Sequence, residues 1–478
     1  MPSENSQPPT CHPLSSKKEV DKPRLELSLL RQAASPVLLE RCCFEFLRSF
    51  LRGKSHRKDD PLLVHAREVQ TKFGSEKLEE HMDAEVSKGM HELSRTILSG
   101  EYRVATVRIH PHRKKDGKHR AIMIADQIRD RIVDRAVLKV IAPHLLEKLR
   151  NGISFSGLPR IPMPRGKKRE QRSTTGAFRQ ISSATKNGKV WLLKADISKF
   201  FDSIDRDYLL EILSEHLPDN TLDDYMRQWT NYQVSNWERI EKSYPDILPS
   251  RQTGVPQGSS LSPLMANLYL LGFDKACSIK GVVAVRYVDD LLFVCPSRRA
   301  AERLKYYIVG HCGNLGLSLK EAKSKDVVYS SKSVEFLGYE HVKGKWHVPN
   351  AKKEKWLSAV REDCGKFIGL ARKFREQKNA ASKEALRKLL KENAAKVRQK
   401  LLTYGSIEAP SEHQDAFDRG TAHSHHLEMK TLLAEFVRKT NGIAGVGVLK
   451  LAPLFSAKKK DGITTRIPRW PHHCIDVK

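Results

Sequence analysis

The chain has 478 residues, with 85 lysines and arginines against 56 aspartates and glutamates, a net charge of +29. That length allows two or three domains with buried cores. The charge excess excludes an enzyme whose only partners are neutral small molecules and points to a polyanion, most simply nucleic acid.

No apolar run approaches the length of a membrane span, and the first residues carry no signal-peptide core. The eight cysteines lack CxxC spacing, so neither a disulfide framework nor a zinc ribbon is indicated and a reducing cytosol is the simplest compartment. Residues 1–24 are polar and proline-containing and read as a tail. Leu25 to Leu51 carries Leu38, Leu39, Cys42, Cys43, Phe46 and Leu47 at helical spacing. Leu78, Met82, Val86, Met90, Leu93 and Ile97 repeat that spacing, so 25–100 reads as a helical N-terminal extension.

Tyr102 to Ile109 alternates as a strand, Lys114 to Lys118 is a cationic turn, and His119 to Ile124 is the return strand. Asp126 is placed to cap a helix whose apolar face is Ile128, Ile132, Val133, Ala136, Val137 and Val140. Such a hairpin can fold over a triphosphate through Lys118 and Arg120, or be a solvated basic turn. Arg160 to Arg172, with Arg165, Lys167, Lys168 and Arg169, has neither helical nor strand period. It is a basic loop, either in contact with a nucleic-acid backbone or merely solvated.

Val190 to Ile197 is a strand that ends in Asp196 and runs through Phe200-Phe201-Asp202 into a helix begun by Asp205. Gly254 to Ser260 is a tight Gly/Pro turn leading into an apolar helix from Leu261 to Ala276. Two apolar strands, Val282 to Val288 and Leu291 to Cys295, flank Asp289-Asp290, which reads as a hairpin tip. Burying like charges there is costly unless a cation meets them, and Mg²⁺ suits a few carboxylates plus water and phosphate oxygens. Asp196, at a strand end, can face that tip and bring three carboxylates together.

Ala301 to Val309 is a helix, Leu315 to Ser324 a turn and strand with lysines, and Val334 to Tyr339 a strand in a hairpin with Lys345 to Val348. Beyond Pro349, Phe367, Leu370, Ala371 and Phe374 form one helical stripe. Leu386, Leu389, Leu390, Val397 and Leu401 form a second, and the faces between them are dense in lysine and arginine. Leu427 to Lys439 reads as a last helix. The histidines at 423, 425, 426, 472 and 473 fit no common zinc spacing, and Gly442 to Gly447 lacks the strand–helix setting of a nucleotide loop.

Taken together, Ala195-Asp196-Ile197 with Phe200-Phe201-Asp202, Gly254-Val255-Pro256-Gln257-Gly258, Tyr287-Val288-Asp289-Asp290, Lys323-Ser324 and Phe336-Leu337-Gly338-Tyr339 resemble, in that order, the motifs of reverse transcriptases. The resemblance covers residues 100 to 400. It is nearest to bacterial enzymes of the group II intron and retron type, and most of all to the defence-associated ones, since no Cys/His nuclease module is visible after the basic helices.

The resemblance implies an α+β right-hand polymerase with an antiparallel palm sheet. Fingers would span 101–190 with the basic insertion, palm 191–348 (with 206–253 lent to the fingers) and a helical basic thumb 349–405, followed by a C-terminal extension, 406–478. Asp196, Asp289 and Asp290, with the Ile197 carbonyl, would hold two Mg²⁺ ions, Mn²⁺ being a substitute. Lys323 would assist the leaving pyrophosphate. Lys118, Arg120, Phe201, Gln257 and Gly258 would bind the incoming deoxynucleotide. Arg165, Lys167, Lys168, Arg169, Lys366, Arg372 and Lys373 would hold nucleic acid. The partners implied are a noncoding RNA template, dNTPs and a DNA product, with a homo-oligomer compatible, and the place is the bacterial cytoplasm. The competing readings are an intron- or retron-type enzyme and a maturase-like RNA-binding scaffold that needs no catalysis.

Overall fold

The computed structural model describes residues 27–52, 60–114, 117–157, 174–186, 190–320, 327–329, 333–342, 345–347, 349–390 and 392–393. The polar tail, the basic loop with Arg165, Lys167, Lys168 and Arg169, Lys323, and everything after 393, including Val397, Leu401 and the histidine clusters, lie outside the described residues.

Four helices, α1 (Leu29–Ala33), α2 (Pro36–Arg52), α3 (Pro61–Phe73) and α4 (Leu78–Leu98), form the N-terminal part. The stripe read from the sequence is its inner face, with Leu39, Cys42, Cys43, Phe46 and Leu47 all at 1% exposure or less. Next come strands β1 (Val107–Arg113) and β2 (His119–Ala125), an antiparallel pair, and the 22-residue helix α5 (Ile128–Leu149). Every apolar residue expected on the face of α5 is buried. Further buried positions, including Ile141, Leu145 and Leu146, make α5 the shared wall of the N-terminal helices and the rest of the core. Phe46 of α2 lies under the guanidinium groups of Arg131 and Arg135 of α5, at 4.6 and 5.2 Å from its ring centre.

The strand expected over Tyr102 to Ile109 begins only at Val107. Residues 102–105 find their partners on helices instead. The Tyr102 hydroxyl and the Ala105 amide donate to Asp130, at 2.6 and 3.1 Å, and the Val104 amide donates to the Gln228 side chain at 3.0 Å. Asp126 does not cap α5. Its carboxylate accepts instead from Thr106 Oγ1 (2.7 Å) and Arg108 Nε (2.9 Å), which ties the base of the hairpin together.

After α6 (Thr174–Thr185) the chain lays down β3 (Trp191–Asp196), then α7 (Phe200–Ser203), α8 (Arg206–His216), α9 (Asp223–Thr230) and α10 (Trp237–Ser243). Asp205 caps α8 as expected, accepting from the Tyr208 amide at 2.9 Å. The apolar helix expected from Leu261 is two helices, α11 (Ser262–Tyr269) and α12 (Leu271–Cys277), interrupted at Leu270. Strands β4 (Val283–Tyr287) and β5 (Asp290–Cys295) follow, then α13 (Arg298–Asn314) and β6 (Val327–Tyr329). The four-stranded sheet has the order β4-β5-β3-β6 and is antiparallel throughout. Its β4 edge is covered by residues 153–155, through Arg286 N to Ile153 O and Phe155 N to Arg286 O.

A three-stranded antiparallel sheet, β7 (Val334–Phe336), β8 (Tyr339–Val342) and β9 (Lys345–His347), completes the β structure among the described residues. Leu337 and Gly338, at φ 51° and 76°, make a two-residue hairpin turn where one continuous strand was expected. Trp346 is fully buried against Phe178, and its indole donates to the Phe178 carbonyl at 3.1 Å. Helix α14 (Asn350–Glu376) buries Phe367, Ala371 and Phe374, while Lys366, Arg372 and Lys373 are exposed. Residues 380–390 return as a further helix, which sets Lys383 and Arg387 over the Phe374 ring. There Leu390 is buried and Leu389 is exposed.

Because Phe46 links two parts of one core, Phe46→Ala is expected to cost the whole described fold about 3–5 kcal/mol in urea unfolding. A loss confined to an early, separate transition would instead mark the N-terminal helices as an independent unit.

Candidate active site

Register places the carboxylates. Asp196, the last residue of β3, stands directly opposite Asp290, the first of β5. The pairing of Tyr287 with Asp290 leaves Val288 and Asp289 as a two-residue turn. The Ile197 amide donates to the Asp289 carbonyl at 3.0 Å, so the end of β3 is stitched to the turn itself. On the other side of β3, the Ser198 amide donates to Ser318 O (2.7 Å) and the Lys320 amide donates to Asp196 O (2.8 Å).

Asp196 is 1% exposed, and a buried carboxylate needs a counter-charge. The Lys320 ammonium is ion-paired with Asp196 Oδ1 and lies 4.0 Å from Asp289 Oδ2. Two carboxylates thus share one cation. That donor chemistry fits a divalent ion held by Asp196 and Asp289. Among the described residues no three Asp, Glu, His or Cys side chains are gathered so that they could hold a metal ion, so the expected convergence of three carboxylates is not found and the pair Asp196 and Asp289 is what the Lys320 ammonium meets. An ion here would fill its shell with carbonyl, water or substrate oxygens, which is the habit of Mg²⁺.

The turn is held from below. Val288 has φ 61°, a conformation a β-branched residue adopts only at a cost on the order of 1–3 kcal/mol. Its amide donates to Ser156 Oγ at 2.7 Å, and its carbonyl accepts from Arg286 Nη1 at 3.3 Å. Arg286 and Asp274 are fully buried and bidentate, at 2.7 and 2.6 Å. Asn267 and Asn151 satisfy their remaining groups at 2.9 and 2.8 Å.

Around this centre the Gly/Pro turn is pinned on two sides. The Gly254 and Val255 amides donate to Ile204 O and Phe201 O, at 2.7 and 2.9 Å. Buried Arg206 donates to the carbonyls of Gly254, Arg251 and Thr253, at 2.9–3.0 Å. Gln257 O accepts from the Met123 amide of β2 at 2.8 Å, and a Cβ on Gly258 would run into the Met123 carbonyl oxygen. Phe201, Gln257 and Gly258 are therefore neighbours of one joint between the sheet and the β1–β2 hairpin. Lys118 and Arg120 are exposed on the outer part of that hairpin.

Beneath the joint is a cavity of about 180 Å³ lined by residues including Asp134, Trp229, Tyr232, Gly258 and Ser260. Burial pushes the Asp134 carboxyl up to about 6, against the hydrogen bonds it accepts from Ser259 and Tyr225. Burial also raises Asp202, against the nearby charges of Lys199 and Lys114.

Two participants were not foreseen from the sequence. Lys320 carries no local signal, since its place beside Asp196 comes from long-range pairing. Arg286 carried a readable signal, since an arginine inside an apolar strand demands a buried partner.

Residues 112–341 match the family described as reverse transcriptase (RNA-dependent DNA polymerase). The match takes in a little under half of the chain, and that segment, which holds β3, β5 and the Asp289 turn, is similar to a reverse transcriptase domain. Among curated proteins it is similar to Protein YkfC of Escherichia coli, at 26% identity over 37% of this chain and 42% of that protein. It is also similar to the group II intron-encoded protein LtrA of Lactococcus lactis, at 25% identity over 41% and 30% of the two chains. The chain thus spans less than half the length of either relative. Among solved structures, apo telomerase from Candida tropicalis aligns over 87% of this chain and 84% of its own, at 13% identity and a TM-score of 0.38. No helix among the described residues is long and apolar enough to cross a membrane.

Arg286→Met strands a buried Asp274 charge beneath the turn and is expected to cost about 3–5 kcal/mol in guanidinium unfolding. Pairing it with Asp274→Leu should restore most of that loss. A double variant no better than the single one would show that the pair does not act as a unit.

Proposed function

We propose that the chain is an RNA-directed DNA polymerase that extends a primer with deoxynucleotides on an RNA template. The observation that carries this reading is the stitched end of β3, where buried Asp196 meets the Asp289 turn around a shared cationic position within the matched segment. In this reading the four-stranded sheet is the palm, within 191–348. The β1–β2 hairpin belongs to the fingers, 101–190, and α14 begins the thumb, 349–405.

Asp196 and Asp289, with the Ile197 carbonyl and Asp290 beside them, would hold two Mg²⁺ ions, or Mn²⁺ in their place. When bound, such ions make a primer hydroxyl nucleophilic and stabilise the leaving pyrophosphate. The protein's own part is positioning. Gln257 and Gly258 form a wall anchored to β2. Phe201, half-buried and tied through its carbonyl to Val255, lies under the sugar. Lys118 and Arg120 reach the triphosphate from the hairpin, and Lys323 meets the pyrophosphate. The exposed Lys366, Arg372 and Lys373 of α14, with Arg165, Lys167, Lys168 and Arg169 of the basic loop, grip the nucleic-acid backbone.

The curated relatives are YkfC and intron-encoded proteins, and the antiphage role with a noncoding RNA that the sequence suggested gains no support from them. The charge of +29 also supports a scaffold that only holds RNA, but such a protein has no use for a buried Asp196.

Purified protein with its co-purifying RNA, Mg²⁺ and dNTPs should yield DNA. Asp289→Asn should lower synthesis by about a thousandfold or more while RNA affinity changes less than tenfold. Equal synthesis by Asp289→Asn would sink the polymerase reading, and no synthesis by the unaltered chain would favour the scaffold. Separately, Phe201→Ala should raise ribonucleotide use relative to deoxynucleotide by about tenfold or more. An unchanged ratio in single-nucleotide incorporation would place the ring elsewhere.

A further inference from the structure

We propose that Lys320 is a tethered cation that competes with the divalent ion for the Asp196–Asp289 position, so that the site stays electrostatically closed until an ion displaces the ammonium. This rests on the metal-holding reading of the two carboxylates given above.

Lys320 does not reach the site by chance of a long surface side chain. Its amide donates to the carbonyl of Asp196, and the flanking Leu319 pairs with Ile197, so its backbone is part of the same local ladder. From that anchor the side chain folds back onto Asp196 Oδ1, with Asp289 Oδ2 at 4.0 Å. The side chain of Asp196 is 2% exposed and that of Lys320 is 38% exposed. The Asp289 side chain is 37% exposed, so the ammonium shares the solvent-facing edge of the site with that carboxylate.

An ammonium and a divalent ion repel each other and compete for the same carboxylates, so holding one weakens the hold on the other. Which one is held depends on ion concentration, because the tether fixes the effective concentration of the ammonium. Without Lys320, Asp196 would sit buried with no charge from this side chain to meet it. Once displaced, the flexible four-carbon stem needs no backbone movement to swing into solvent. Lys320 is then a positioning residue that sets how much divalent ion the site requires. It is a different residue from Lys323, which the family resemblance assigns to the pyrophosphate.

The test is Mn²⁺ binding to the purified full chain, without nucleotide or nucleic acid, followed by the electron paramagnetic resonance of the free ion. Lys320→Gln should bind Mn²⁺ about tenfold more tightly than the unaltered chain, since a charge-assisted hydrogen bond no longer has to be broken. Lys320→Arg, which keeps the charge, should stay within about threefold of the unaltered chain. The melting temperature in chelator should fall in Lys320→Gln, and the rise on adding Mn²⁺ should be larger than in the unaltered chain. Should Lys320→Gln fail to fold, Lys320→Met keeps the stem and carries the same expectation. Equal Mn²⁺ affinity with and without the Lys320 charge overturns the tethered-cation proposal, while loss of binding in Asp289→Asn leaves the carboxylate reading standing. Binding that ignores Asp289→Asn, or no binding in any variant, overturns both.

Discussion

A carboxylate taken out of water at a strand end has to be met by positive charge, at a cost of several kcal/mol if it is not. Asp196 is in that position, and the chain around it is arranged to keep it there. The β3–β5 ladder fixes it opposite Asp290, the Ile197 amide ties the next residue to the Asp289 carbonyl, and the 318–320 segment closes the other side. All these joints are main-chain hydrogen bonds. The location of the carboxylate is therefore set by sheet register, and a register slip of one residue would turn Asp196 to the opposite face.

Different devices support the two approaches to this point. Under the turn the support is ionic: Arg286 and Asp274 form a fully buried pair whose spare donor reaches the strained Val288 carbonyl. Replacing such a pair by apolar side chains is often neutral or favourable for stability, so its presence makes most sense as geometry for the turn. Under the Gly/Pro turn the support is steric. Gly258 lets the backbone of the Gly/Pro turn touch β2, where any side chain would collide with Met123. The β1–β2 hairpin is thereby coupled to the sheet by contact between main chains.

Much of this was legible in the sequence because it depends on short-range pattern. Short apolar, β-branched runs mark β3, β4 and β5, the 3.6-residue period marks α2, α4 and α5, and two acidic residues between apolar strands mark the turn. Asp196 was found because it ends a strand. What escaped depends on long-range pairing. Lys320 reaches Asp196 only because residues 124 apart in sequence become neighbours, and neither local period nor composition encodes that. Tyr102 to Thr106 looked like strand because alternation cannot show that Asp130 and Gln228 will take the segment's donors first. Val334 to Tyr339 looked continuous because Leu337 is an unusual residue for a left-handed turn.

The charge balance turns on the same site. A protein that only holds RNA gains from positive potential at every point on its surface, and a chain of +29 supplies it. A pair of acidic side chains at the end of β3 works against that, since it repels phosphate and one of the two is buried. The conflict disappears if a cation stands between them, because carboxylates, cation and phosphate oxygens then alternate in charge. In the structure that cation is an ammonium carried by the chain, and in the proposed reaction it is a divalent ion that also binds substrate. A site that is acidic inside a basic protein is therefore a place where phosphate can be bound only through a third charge, which is the condition that phosphoryl transfer requires.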